Sequence, residues 1–191
     1  MKRSCWSFIL AGAVALVACD MVTSTLWAQA AAETYAATAT VKGPQGTMTA
    51  PVVVVIERYT TDAERSKAVE ALKAGGTTAL QQALQGMPAI GHIEVGQRRN
   101  PIKYAYARPV GSGRMVTVIS DKPIGFLGEK LPNPKPKAGY DVAFALLNLP
   151  ASGKGSGELG PAAKAKIDAG AVVTEDYGAE VVMLTDIEKK K

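Results

Sequence analysis

Cysteine is scarce in this 191-residue chain: Cys5 and Cys19 are the only two, and both lie near its start. Histidine is scarcer still, with His92 alone. If the first stretch is an export signal that takes Cys5 with it, the exported chain has no partner for an internal disulfide, even in a compartment that permits one. Thiol catalysis and a cysteine-built metal centre go with it. A zinc-type site would have to be almost wholly carboxylate, which zinc does not select. A Ser-His-Asp triad meets the same shortage, and no G-x-S-x-G elbow is present. No apolar run approaches the ~20 residues that cross a bilayer as a helix, which excludes a polytopic membrane protein.

What remains is an ordinary globular composition, 47% apolar, 20% charged and 6% aromatic, with a formal net charge of +5. Lys2 and Arg3 form a positive n-region and Phe8 to Ala18 an uncharged, mostly apolar run, as in a secretory signal. Two cut sites follow. Ala28-Gln29-Ala30 is an A-x-A site that would release a soluble protein beginning at Ala31. Leu16-Val17-Ala18-Cys19 has the form of a lipobox, in which Cys19 would be acylated and become the first mature residue. We assign residues 1–30 to a signal peptide, with lipidation at Cys19 as the alternative. The localisation expected is exported, periplasmic or extracellular. Residues 31–191 then form one domain, long enough to bury about 70% of its unfolded surface.

Along that domain Glu33 to Lys42 alternates, and Pro51 to Tyr59 is a β-branched run; Gly43-Pro44-Gln45-Gly46 marks the turn between two strands. The period then changes. Thr61-Asp62-Ala63-Glu64 is a capping box, and Ala68, Val69 and Leu72 make an apolar stripe up to Gly75-Gly76. Thr78 and Gln81 repeat the box, Leu80, Ala83 and Leu84 give a second buried face, and Gly86-Met87-Pro88 ends it. A helical hairpin at about 61–86 is expected.

Strand patterns follow at Ile90 to Val95, Ile102 to Val110, Arg114 to Ser120, Tyr140 to Leu149 and Ala179 to Asp186. Between Ser156 and Asp168 the alternation of Leu159, Ala163, Ala165 and Ile167 with Glu158, Lys164 and Lys166 favours a strand, although Ala and Lys behind Pro161 also suit a helix. Gly128 to Gly139, with Pro132, Pro134 and Pro136, reads as a surface loop. The fold class is α+β: mainly antiparallel β, a barrel or sandwich of about eight or nine strands, with an inserted helical hairpin near the N-terminus.

Motifs that could carry chemistry are few. Gly155-Ser156-Gly157-Glu158-Leu159-Gly160 satisfies G-x-G-x-x-G, with Glu175 further on, but strand patterns follow it where a dinucleotide fold needs further βα units. A turn between strands is the plainer reading. Glu175-Asp176 are adjacent on a strand and so point to opposite faces, which does not make an acid/base pair. His92 sits opposite Ile93 and Val95 and reads as a solvent-facing strand residue.

The most distinctive surface candidate is Lys103-Tyr104-Ala105-Tyr106-Ala107-Arg108. Alternation puts Tyr104, Tyr106 and Arg108 on one face, and tyrosine and arginine are the residue types enriched at recognition surfaces. Half-buried packing is the competing reading, since tyrosines are favoured in strands. Lys189-Lys190-Lys191 could favour anionic surfaces, but solvation is the commoner role of such a tail.

Four stretches, Arg58-Tyr59-Thr60-Thr61-Asp62-Ala63-Glu64-Arg65, Ser120-Asp121-Lys122-Pro123-Ile124-Gly125-Phe126, Gly153-Lys154-Gly155-Ser156-Gly157 and Glu175-Asp176-Tyr177-Gly178, together resemble an uncharacterised family of exported bacterial proteins. The resemblance spans most of the mature chain. It implies export and a shared fold, and it transfers no catalytic residue.

The function expected is therefore an exported, non-enzymatic binding or structural module, with a small apolar ligand or a cell-envelope component as partner. Tyr104, Tyr106 and Arg108 are its candidate binding residues. No catalytic residue, metal or cofactor is assigned, nucleic acid is not an expected partner, and membrane contact would come only through a lipid anchor at Cys19. The alternative is an exported hydrolase whose carboxylates the sequence does not pair.

Overall fold

A computed structural model describes residues 32–43, 46–125, 137–178 and 180–190. The expected signal peptide, both cut sites, Cys19 and the prolines of the 128–139 loop lie outside them. The first two alternating segments form a long hairpin, β1 (Glu33–Gly43) with β2 (Gly46–Ile56), in register from Glu33 opposite Ile56 to Gly43 opposite Gly46. On β2, strand β3 (Gly91–Val95) covers Val52 to Ile56 alone. Pro51 sits just past the end of that ladder, where its carbonyl accepts from the Gly96 amide at 3.3 Å and its missing N–H breaks no pairing.

Strands β4 (Arg98–Ile102), β5 (Tyr104–Val110), β6 (Gly113–Ser120), β7 (Val142–Leu149), β8 (Gly155–Asp168), β9 (Ala171–Tyr177) and β10 (Val182–Lys190) complete one antiparallel sheet. Its order is β4-β3-β2-β1-β10-β8-β7-β6-β5, with β9 added to β8 off that path. The two ends of the path, β4 and β5, are consecutive in the chain with Lys103 alone between them. A flat sheet would hold those edges about 38 Å apart at the usual strand spacing. The sheet therefore curls into a half-barrel, and the Lys103 N–H donates to the Ile119 carbonyl at 2.9 Å where its edges approach.

Among the described residues nine strands follow one another across the half-barrel, within the eight or nine expected, and β9 is added off that path. The two that the sequence patterns did not include are β4, whose Arg98-Arg99-Asn100-Pro101 has no strand character of its own, and β9, a short return after the Ala169-Gly170 turn.

Curling gives the sheet two cores. Side chains on the inner face, among them Tyr35, Ala39, Val52, Val54, Ile93, Val116, Leu147 and Leu184, fill the interior. The outer face of β5 to β8 is covered as well: Tyr104, Ile119, Val142, Phe144 and Ala163 pack with Ala68, Leu72, Leu80 and Leu84 of the helix α1 (Asp62–Gln85) and with Val172 of β9. The continuous apolar run Val142 to Leu147 reflects this, since its strand is buried on both sides.

The helix begins as its capping box dictates. Thr61 Oγ1 accepts from the Glu64 amide at 3.3 Å, and Glu64 Oε2 accepts from the Thr61 amide at 2.9 Å. Glu64 also receives a two-pronged ion pair from Arg58 at 2.7 and 2.8 Å, and that pair, with the cap, holds its carboxyl down at about 2. Thr61→Ala is expected to cost about 1 kcal/mol in a thermal or urea melt. Coincident transitions for the two proteins would show that the box contributes nothing.

The break expected at Gly75-Gly76 is present: α1 consists of two helical segments joined across a kink at Gly75 (φ −152°, ψ 23°) and Gly76 (φ 68°, ψ −157°), although they do not form a clear hairpin. The second capping box is corrected. Thr78 Oγ1 donates to Asp141 Oδ2 at 2.7 Å and Gln81 Nε2 to the Asp141 carbonyl at 3.0 Å, so both side chains tie the helix to the start of β7. Thr77, the first residue after the glycines, is buried and its Oγ1 accepts from the Ala165 amide at 3.0 Å beside the irregularity between Lys164 and Ala165 of β8. An amide freed by a broken ladder is thus satisfied by the helix.

Candidate functional site

The tyrosine strand alternates as read, with Ala105 and Ala107 turned to the inner core. Its other face, however, is where α1 and β9 pack. Tyr104 is 0% exposed and belongs to the outer core. Tyr106 is half-buried beneath the Arg65 guanidinium, 5.2 Å from the ring centre, and its hydroxyl accepts from Arg65 at 3.4 Å. Arg108 is half-exposed and reaches Asp168 at 3.4 Å. The three side chains therefore run from core to rim, and Tyr104 offers no surface to a partner. His92 is half-buried on the outer face of β3, 3.5 Å from Glu94, whose other partner is Arg99.

The glycines of the 155–160 stretch have a packing role. They lie within β8, with no helix after them. A Cβ at Gly157 would stand 2.2 Å from the Leu146 carbonyl oxygen, and one at Gly160 would stand 2.3 Å from the Tyr177 ring. These positions admit the β7 backbone and an aromatic ring.

The polar constellation that the structure does assemble lies elsewhere, at the end of the sheet where β1, β6 and β8 begin and β7 and β10 finish. Glu33 is 4% exposed and turned to the inner side of the sheet. Its Oε2 accepts from Tyr35 at 2.9 Å and Tyr59 at 2.6 Å; its Oε1 accepts from Arg114 at 2.9 Å and Lys189 at 2.8 Å. Arg114 stands on β6, which does not neighbour β1 in the sheet, so the contact spans the cupped interior. The same guanidinium nitrogen also donates to the Tyr35 hydroxyl at 2.5 Å.

The electrostatics follow from these partners. Burial pushes the Glu33 carboxyl up, but hydrogen bonds from Lys189, Tyr59, Arg114 and Tyr35 outweigh it and bring the group down to about 2. Burial, and then the charge of Glu33, pushes the Tyr35 and Tyr59 hydroxyls well above their ordinary value, so both stay protonated donors. With Glu33 ionised and both tyrosines neutral, two cations face one carboxylate.

Above this network opens a cleft of about 750 Å³. Leu149, Pro150 and Ile187 give it an aliphatic wall, while Tyr35, Arg114 and Lys189 line it from the network side. Ser112, Gly113, Ala151, Gly153, Lys154 and Gly155 contribute most of the rest. Lys154 pairs with Asp186 at 3.1 Å and Glu188 at 3.2 Å. Among the described residues no group of three or more acidic, histidine or cysteine side chains is placed to hold a metal ion.

Sequence reasoning missed this site. Glu33 at a strand start reads as a solvated carboxylate, and its cationic partners lie 81 and 156 residues away. The one available signal was Glu33 and Tyr35 at i, i+2, which places an acid and a phenol on the same face of a strand whose next inward residues are Ala37, Ala39 and Val41. Comparison with family models, with curated proteins and with solved structures returned no match. The functional reading rests on the geometry.

Proposed function

We propose that the protein is an exported, non-enzymatic binding module that takes its ligand in the cleft at the end of the curled sheet. The observation that carries this reading is the cleft itself: its volume falls within the ~300–1,000 Å³ of small-molecule sites, and it joins an aliphatic wall to a few fixed polar groups. Buried side chains fill the interior of the curled sheet, which supports its open end over its interior as the place for a small ligand. Export rests on the n-region, apolar run and cut sites of the first thirty residues and on the resemblance to exported proteins.

The hydrolase alternative gains no support from the buried carboxylate. An acid/base group works best with a pKa near the operating pH, whereas Glu33 is held at about 2 and both its oxygens are committed to donors.

Native mass spectrometry of the protein purified from its own cell envelope tests the reading. The expected spectrum shows a chain beginning at Ala31, or at an acylated Cys19, carrying a small non-covalent adduct. Ala151→Trp, at an exposed loop position lining the cleft, is expected to remove the adduct while the chain remains folded. An unprocessed chain overturns export, and an adduct that survives the tryptophan overturns the cleft as its site.

A further inference from the structure

We infer that the cleft selects ligands with one anionic head group on an aliphatic body, and that Arg114 receives the head group. The inference rests on the cleft being the ligand site and adds to it the chemistry of the ligand. Arg114 spends only its Nη2 on the protein, on Glu33 and Tyr35. Among the described residues no acceptor takes its Nη1 or Nε protons, and the side chain is 35% exposed where it lines the cleft. A guanidinium pinned on one edge and open on the other is a preorganised fork for a carboxylate, and little side-chain entropy remains to be lost when the ligand arrives.

The surrounding charges agree. The network beneath the cleft holds Arg114 and Lys189 against the single buried carboxylate of Glu33, one positive charge in excess. Lys154 also lines the cleft, but its charge is balanced by Asp186 and Glu188, and by the same contact it occupies Glu188, the acidic side chain of the lining. Next to Arg114 the lining is aliphatic, through Leu149, Pro150 and Ile187. A fully ionic ligand would leave that wall wet, and a purely apolar one would bury the Arg114 donors unpaired. An amphiphile with one carboxylate satisfies both. Glu33 acts on the ligand only through Arg114 and is a positioning residue.

Calorimetric titration of the full mature chain with octanoate and with octanamide, which differ in charge and hardly in shape, tests this. Octanoate is expected to bind about tenfold or more tightly than octanamide, since a charge-assisted pair is roughly twice as strong as a neutral one. In Arg114→Gln the octanoate advantage is expected to fall to about onefold, with octanamide affinity retained as proof that the cleft persists. If that variant does not fold, the wild-type preference for octanoate and its retention in Lys73→Gln carry the test, because this exposed helix lysine does not line the cleft. Equal affinities in the wild type overturn the anionic inference and leave the cleft as a neutral site. An octanoate preference that survives Arg114→Gln, or disappears in Lys73→Gln, overturns the assignment of the head group to Arg114 as well. Failure of both compounds to bind overturns the ligand class, while the adduct seen or not seen by mass spectrometry decides the cleft separately.

Discussion

Glu33→Gln is expected to destabilise the protein by about 3 kcal/mol or more at neutral pH, among the largest effects available at one polar side chain. The amide is nearly isosteric, so no cavity is made. What changes is that an acceptor of four donors becomes a group with two N–H donors of its own, facing Arg114 and Lys189 on one side and two phenols on the other. The pH dependence distinguishes this from a packing defect. The folded-state value of Glu33 lies at about 2, below the ordinary 4.5 of the unfolded chain. As pH falls through 4.5 the unfolded chain takes up the proton first, so the carboxylate's contribution is complete above that pH and is lost progressively toward pH 2. The difference between wild type and variant in urea-unfolding free energy should therefore be constant from pH 7 to about 5 and shrink across the window down to about 2. Other carboxylates, Glu64 among them, titrate in both proteins and cancel in that difference. A difference that stays constant through the acid range would show that the ion pair with Arg114 and Lys189 contributes nothing.

Local chemistry accounts for what the sequence made legible. Thr61 and Glu64 form their box because cap and N3 side chain satisfy orphan amides within a single turn, and no distant residue is needed. Glu33 to Gly43 alternates because one face meets a core. Where a partner decides the outcome the signal fails. Arg98 to Ile102 is a strand because β3 offers it a ladder, from His92 opposite Pro101 to Val95 opposite Arg98, and its residue types have little preference for extension. Thr78 and Gln81 have the spacing of a capping box, but Asp141, 63 and 60 positions away, competes for both side chains and wins. The candidate site follows the same division. Glu33 and Tyr35 share a strand face legibly, whereas Arg114 arrives from across the curled sheet and Lys189 from the far end of the chain. In the tyrosine strand, alternation sorted the residues correctly between faces but could not say that both faces are covered. That depended on α1 returning over β5 to β8, to which the doubly apolar Val142 to Leu147 was the only local clue.

The second large effect is expected at Tyr104. Its ring lies wholly within the outer core, among Ile119, Phe144 and Val172 and under the helix, so Tyr104→Ala should leave a cavity the backbone of a hydrogen-bonded strand cannot close. The expected loss is about 3–5 kcal/mol, a large share of the ~5–15 kcal/mol that holds a domain of this kind together. Tyr106, two residues on and on the same face, gives the internal control. Its ring is only half-buried, stacked under Arg65, and Tyr106→Ala should cost about 1–2 kcal/mol through the lost cation–π contact and partial burial. Urea melts of the two single variants read the contrast directly. Equal small losses, within about 0.5 kcal/mol of the wild type, would place Tyr104 on an open surface and restore the strand as a recognition face. A loss at Tyr104 that exceeds that at Tyr106 severalfold instead makes the strand a floor for α1.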